Sequence, residues 1–547
     1  MKFMIKKNLS KFLVGAILLS SVVTGCATSD NSSNSNNISN SSSSTGKPDP
    51  NMQLKIATTE SVINDGLMEK PWLQSTFVSS RLFRGLFLAT AGTTDVQPDL
   101  VNSYSISTDG LKYEFTLKDD IYWSDGEPIT LDDIVFSIEA LLELSTEQII
   151  STLFITGFSD IEGATEFCAN PSVGLSGLSI DGDTLTITLS NPNNLFLQML
   201  SQFVIFPKHG FEGVSPTSFH DTGLEYWKDP ICSGLYKLGE HVQGEYLTLI
   251  YNEYYTEQVP YISSLLLRND FEYEELDYSE TNDISVILDY RAISNQVEYD
   301  ADSIFYRYFV FNINKGGELD PVLSDIRVRQ AITYAIDRQE LISKVYYGIG
   351  SVNNTGAVQV YDSPIDIDYP YDPELALELL IEAEYDFDRP ITLLYYYNND
   401  PISDKFMEET ANYLRAIGLT VDVVKGNLYN DDSDYYDMGL KGLAVYSISD
   451  WYNEYLSTSQ VYSSIYGYDE SQFDDLIIDF NQATSIAQRN DALIKLQELE
   501  YEALYKYPVF IMGHRVYLKN SVSIPNDVVF GDSKYRYFLN VAEWKIS

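Results

Sequence analysis

The groups in this sequence that could do covalent chemistry are few and scattered. Among 547 residues there are four His and three Cys, against 80 Asp and Glu. His209, His220, His241 and His514 stand far apart, and none has a partner at helical spacing. There is no His-Glu-x-x-His, no Gly-x-Ser-x-Gly, no glycine-rich phosphate loop and no Cys-x-x-Cys. The spacings that build a zinc hydrolase, a nucleophile elbow, a nucleotide site or a redox pair are therefore missing. Carboxylates are numerous enough that counting does not exclude a glycosidase pair, yet no pattern selects two of them. Asp431, Asp432 and Asp434 have the density of a calcium loop but lack its Gly and its closing Glu, and read as a solvated loop. No catalytic residue, metal ligand or cofactor is selected.

Charge and composition narrow the classes further. Lys and Arg number 35, giving a formal net charge of −45. So acidic a surface repels a phosphate backbone, which argues against nucleic acid as a partner. A hydrophobic content of 44% supports large cores. At roughly 150 residues per domain, the length suggests three or four domain-sized units.

The N-terminus carries a targeting pattern. Lys2, Lys6, Lys7 and Lys11 precede the apolar run Phe12 to Val23, which is too short to span a bilayer and reads as the core of a secretory leader. The run ends in Val23-Thr24-Gly25-Cys26, which resembles a bacterial lipobox. That resemblance implies removal of a leader over residues 1–25 and lipidation of Cys26. Asp30 to Ser44 is almost wholly Asn and Ser and cannot offset its ordering entropy, so 26–51 is expected to be a tether. The expected product is held on the extracellular face of the membrane, or on the periplasmic side if there is an outer membrane. Cys168 and Cys232 are the other thiols, and the sequence leaves their pairing open.

Past the tether, the periodicities alternate between strand and helix. Leu54 to Ala57 reads as a strand. Leu111, Tyr113, Phe115 and Leu117 alternate after an Asp109-Gly110 turn, and Leu185, Ile187 and Leu189 alternate after Asp181-Gly182. Thr130 with Asp133 forms a capping-box pattern before the apolar face Ile134, Val135, Ile138, Leu141 and Leu142. Ser324 is the expected cap of a helix burying Val328, Ala331, Ile332, Ala335 and Ile336. Asp372-Pro373 starts another helix. A strand at Ile391 to Tyr397, a helix through Phe406 and Leu414, and a strand at Leu419 to Val424 make a βαβ unit. A long helix from Ile486 to Tyr505 precedes the strand Val509 to Met512.

Three long segments resemble one family, the extracellular solute-binding proteins of ABC importers, in their oligopeptide- and dipeptide-binding group. The first is PDLVNSYSISTDGLKYEFTLKDDIYWSDGEPITLDDIVFSIE, from Pro98 to Glu139. The second combines Phe311-Asn312 with Ile326 to Ala331 and Ala335 to Arg338. The third is Tyr371-Asp372-Pro373 with Ala376, Leu379, Leu380 and Ala383. The resemblance implies an α/β, two-lobed periplasmic-binding-protein type II (Venus-flytrap) fold with an extra subdomain in the first lobe. The first lobe is expected at 52–82, 181–305 and 508–547, its subdomain at 83–180, and the second lobe at 306–507. The crossings are expected near Tyr306 to Asn312 and Pro508 to Met512. The implied role is binding, not catalysis. A peptide would be captured between the lobes and passed to an ABC permease and its ATPase subunits by a monomeric, lipid-anchored receptor. A nickel complex, a sugar or an opine is the alternative ligand, and a lipid-anchored surface glycosidase is the rival of another class.

The same resemblance nominates ligand-binding residues. Asp450 stands where the family carries an acid facing a peptide's amino terminus, although the Trp that commonly precedes it is absent from Val445 to Asp450. A turn-capping surface Asp is the competing reading. Trp451 and Tyr452 would wall the pocket or pack the core. Thr59 and Glu60 follow the first strand, and Tyr306, Tyr308 and Phe510 lie on the expected crossings. Cys232-Ser233-Gly234-Leu235-Tyr236 replaces the family's Gly-Thr-Gly-Pro-Tyr.

Overall fold

The computed structural model describes residues 48–49, 51–58, 62–63, 78–89, 95–146, 158–219, 224–301, 303–315, 318–358, 365–396, 400–426, 436–445, 448–459, 471–526, 528, 530 and 541–547. Cys26, the leader, the tether up to residue 47, Thr59, Glu60, Asp431, Asp432 and Asp434 lie outside these residues.

The first lobe is built on a seven-stranded sheet. Its spatial order is Gln296–Ala301, His514–Lys519, Tyr278–Thr281, Gln53–Ala57, Ser264–Arg268, Tyr246–Tyr251 and Tyr236–Val242. Gln53–Ala57 is central and pairs in parallel with both neighbours. Its alternation puts Leu54 and Ile56 inward beside Leu265, Leu267, Leu247 and Leu249, all at most 1% exposed. A four-stranded antiparallel sheet forms the subdomain, in the order Val101–Ile106, Lys112–Leu117, Thr184–Thr188 and Leu178–Asp181. It runs past the expected limit at 180, because the hairpin at Asp181-Gly182 belongs to this sheet.

The helix Leu131–Thr146 packs against Ala164–Ala169, Lys208–Phe211 and Pro216–Ser218, and the carboxylate half of its capping box forms. The Asp133 carboxylate accepts from the Thr130 backbone N–H at 2.8 Å and from the Thr130 hydroxyl at 2.9 Å. Ile134 and Ile138 are fully buried below it.

The second lobe has a six-stranded sheet in the order Gly350–Val352, Lys506–Met512, Phe305–Phe311, Met438–Ala444, Ile391–Tyr395 and Val421–Lys425. The βαβ unit is present: Ile391–Tyr395 and Val421–Lys425 pair in parallel around the helix Pro401–Ala416. The helix Ile326–Tyr334 is capped by Asp325, whose carboxylate accepts from the Arg327 N–H, and not by Ser324. The one-residue difference follows from carboxylate and hydroxyl both being good caps at adjacent positions.

Each sheet sends one strand directly into the other. Gln296–Ala301 leads into Phe305–Phe311, and Lys506–Met512 leads into His514–Lys519. The two crossings lie side by side, with Ala301 opposite His514 on one side and Tyr306 opposite Ile511 on the other. The turnover thus falls at 301–305 and 512–514, and Tyr306, Tyr308 and Phe510 are already inside the second lobe's sheet. Gly513 is needed there for space. A Cβ at this position would sit 2.4 Å from Ile349 Cγ2 and 2.7 Å from the Gly350 nitrogen. Cys168 and Cys232 are not joined in a disulfide, and burial pushes the Cys232 thiol up to about 12.

Candidate ligand cleft

The strand Phe305–Phe311 runs between two cores. Tyr306, Tyr308 and Val310 point to one side, into a cluster with Trp451, Tyr452, Tyr455, Phe480 and Leu493. Phe309 and Phe311 point to the other, into a cluster with Val328, Ile332, Phe406 and Phe510. Five of the expected site residues therefore gather on one side: Asp450, Trp451 and Tyr452 on the helix Ile448–Tyr452, and Tyr306 and Tyr308 beneath it. The two Tyr rings stack, with centroids 4.9 Å apart. Phe510 lies on the opposite side, 4.6 Å from Tyr346 and 5.5 Å from Phe406 between ring centroids.

A buried carboxylate that the sequence reading did not single out holds the helix in place. Glu500 is 1% exposed. One of its oxygens accepts from Trp451 Nε1 at 2.7 Å and from the Tyr455 hydroxyl at 2.8 Å. The other accepts from the Thr355 hydroxyl and the Gly356 N–H, both at 2.9 Å. Four donors surround the charge, as a buried anion requires. Gly356 must lack a side chain, because a Cβ would fall 2.2 Å from Trp451 Cδ1 and 2.6 Å from the Tyr306 oxygen. Glu500 shares a helix face with Leu493 and Leu496, and that spacing is the one signal that could have placed it inside.

A second buried network lies under the same rings. Lys506, fully buried, is ion-paired with Glu454, whose carboxylate also accepts from the Tyr308 hydroxyl at 3.0 Å. The Lys506 ammonium sits 4.1 Å from the Tyr455 ring centroid and 5.3 Å from that of Tyr308. The Tyr306 hydroxyl is buried with no hydrogen-bond partner among the described residues. Burial, and then the charges of Glu454 and Glu500, hold it well above the usual tyrosine range, so it stays protonated.

Asp450 is half-buried at the start of its helix, next to Trp451 at 1% exposure. The neighbouring Tyr452 hydroxyl donates to Asn481 Oδ1 at 2.7 Å. It is raised chiefly by burial, with further contributions from Asp450 and from Asp160, which belongs to the first lobe. Burial also raises the Asp160 carboxyl, partly countered by Asn193, whose side-chain amide donates to it at 2.9 Å. One carboxylate from each lobe, Asp450 and Asp160, thus acts electrostatically on the Tyr452 hydroxyl. Beside it, a cavity of about 330 Å³ lies between Ile106, Tyr113 and Asn193 of the first lobe and Thr484, Ile486 and Arg489 of the second. The Thr58 N–H bonds to the Arg268 carbonyl at 2.9 Å, which fixes the end of the first strand just before Thr59 and Glu60.

Comparison with known proteins agrees with this architecture. A group of Brucella proteins, among them one from Brucella ovis whose name provisionally assigns it to ABC transporter peptide binding, is 26% identical over 342 residues. That match covers 59% of this chain and 59% of the relative. A crystal structure from Clostridium difficile, of a protein called AppA and provisionally described as peptide-binding, superposes with a TM-score of 0.74 at 18% identity. It covers 90% of this chain and all of that one. NikZ from Campylobacter jejuni, solved with Ni(L-His), has a TM-score of 0.67 at 21% identity, covering 90% and 99%. Both superpositions place the fold among two-lobed binding proteins of type II. The profile of the bacterial extracellular solute-binding proteins, family 5 (middle region), matches residues 95–473. With more than half its length inside that profile, the chain belongs to the family 5 bacterial extracellular solute-binding proteins, which bind solutes and are not enzymes.

Proposed function

We propose that this protein is the lipid-anchored, extracellular binding subunit of an ABC importer, that it captures peptides between its two lobes, and that it delivers them to a permease. The observation that carries the peptide reading is the half-buried Asp450, set against buried Trp451 and Tyr452, with Asp160 on the facing lobe. An ammonium is costly to desolvate without such a partner, and a peptide's amino terminus supplies one. The names of the Brucella relatives and of the Clostridium difficile structure support the same ligand class.

The test is a cycle over protein and ligand. Asp450→Asn keeps the shape and removes the charge, so a peptide with a free amino terminus should lose at least about 2 kcal/mol of affinity. The same peptide acetylated should bind wild type weakly, and the substitution should then cost little more. Coupling below about 0.5 kcal/mol, the range of an exposed pair, would remove Asp450 from the site and turn the search to Glu60.

The Ni(L-His) complex of NikZ favours a second reading, a metal–amino-acid chelate, at the same acidic junction. Mass spectrometry of ligand co-purified under native conditions separates the two. Anchoring has its own test. Wild type should incorporate labelled fatty acid, and Cys26→Ala should be released or left unprocessed. Absence of label from wild type would refute the anchor.

A further inference from the structure

Between two consecutive residues the chain changes cores. Phe196 packs in the first lobe's core with Leu200 and Phe203. Leu195, 2% exposed, packs instead in the second lobe's aromatic cluster with Tyr452, Phe480 and Leu493. Among the described residues it is the one member of that cluster drawn from the first lobe. Hydrogen bonds fasten it. The Asn194 N–H donates to the Asn481 carbonyl at 3.1 Å, and the Asn194 side-chain amide donates to the Phe480 carbonyl. These carbonyls end the helix Ser471–Asn481, where the last turn has acceptors to spare.

The tip is braced from its own side. Asn193 Oδ1 accepts from the Leu195 N–H at 3.0 Å, its amide donates to Asp160, and its carbonyl accepts from the Tyr113 hydroxyl at 3.0 Å. Asn481, gripped by the tip, also accepts from Tyr452, two residues beyond Asp450.

We propose that Asn193 to Leu195 is an interlobe latch that sets the balance between closed and open forms independently of ligand contacts. Rotation about the paired crossings would withdraw Leu195 into water and break both Asn194 bonds. The latch therefore adds to the stability of the closed form alone, and it is tied through Asn481 and Tyr452 to the helix that carries Asp450. A protein whose closed form is less populated binds its ligand more weakly in proportion.

The test uses unliganded full-length protein with one dye on each lobe, so that ligand identity does not enter and failure of the peptide reading would leave it untouched. Leu195→Ala should lower the closed-to-open ratio by about tenfold or more, the scale of truncating a buried interface anchor. Asn194→Gly should shift it in the same direction. Leu200→Ala empties a fully buried site in the first lobe's own core, and should lower the melting temperature without moving the lobes. An unchanged ratio in Leu195→Ala, or an equal shift in Leu200→Ala, would overturn the latch. If Leu195→Ala fails to fold, an unchanged ratio in Asn194→Gly does so.

Discussion

Glu500→Ala is expected to cost the protein about 5 kcal/mol of stability, a large share of what holds a domain folded. The figure follows from what the carboxylate leaves behind. Trp451 Nε1, the Tyr455 and Thr355 hydroxyls and the Gly356 N–H all lose their acceptor in a site without solvent. Each buried orphan costs roughly 1–3 kcal/mol, less than additively when neighbours share a cavity. Glu500→Gln should be intermediate, because its amide group offers a donor where a donor already points. Urea unfolding of both variants beside Glu502→Ala, an exposed position on the same helix, gives the comparison. The exposed change should stay within about 0.5 kcal/mol. A loss below about 2 kcal/mol for Glu500→Ala would mean that the four donors find other partners. Because the same carboxylate fixes Trp451, a folded Glu500→Gln protein should also bind ligand less well.

Lys506→Met should cost about 3–5 kcal/mol, the penalty for stripping one partner from a buried ion pair. Among the described residues, Glu454 would keep only the Tyr308 hydroxyl as a polar neighbour in that network. The informative variant is the double one. Lys506→Met with Glu454→Gln removes both charges and retains an acceptor for Tyr308, so it should recover much of the single loss. A coupling of at least about 1.5 kcal/mol across the cycle is expected. Simple addition of the two single losses would show that the pair acts as two independent groups.

Local features were legible in the sequence because they are decided within a few residues. The Thr130–Asp133 capping box, the Asp109-Gly110 turn with Gly110 at φ +70°, and the βαβ unit around Pro401–Ala416 all follow from spacing alone. The family resemblance supplied the two lobes, which periodicity could not. What stayed hidden depends on the neighbour an element meets. Phe305–Phe311 carries large apolar side chains on both faces, with Arg307 the single charge, so alternation could not say that Tyr306 and Tyr308 face one core while Phe309 and Phe311 face another. The crossings, which the resemblance set near Tyr306 to Asn312 and Pro508 to Met512, fall between Ala301 and Phe305 and between Met512 and His514. Glu500 breaks the rule that acids stay outside, and its four donors come from positions about 45 to 145 residues earlier. Leu195 reads as one more apolar residue before a short helix, and no local pattern says that it leaves its own lobe.

The interrupted first lobe has a consequence for synthesis. His514–Lys519 lies between Gln296–Ala301 and Tyr278–Thr281, so the seven-stranded sheet has a gap until residue 519 has left the ribosome. Gln296–Ala301 has no other strand to pair with in that sheet. At ~5–20 residues per second, the wait from one strand to the other is on the order of ten seconds or more. Through that interval the nascent first lobe is an incomplete sheet with open edges, which leaves the chain easily unfolded but invites aggregation until the last strand arrives.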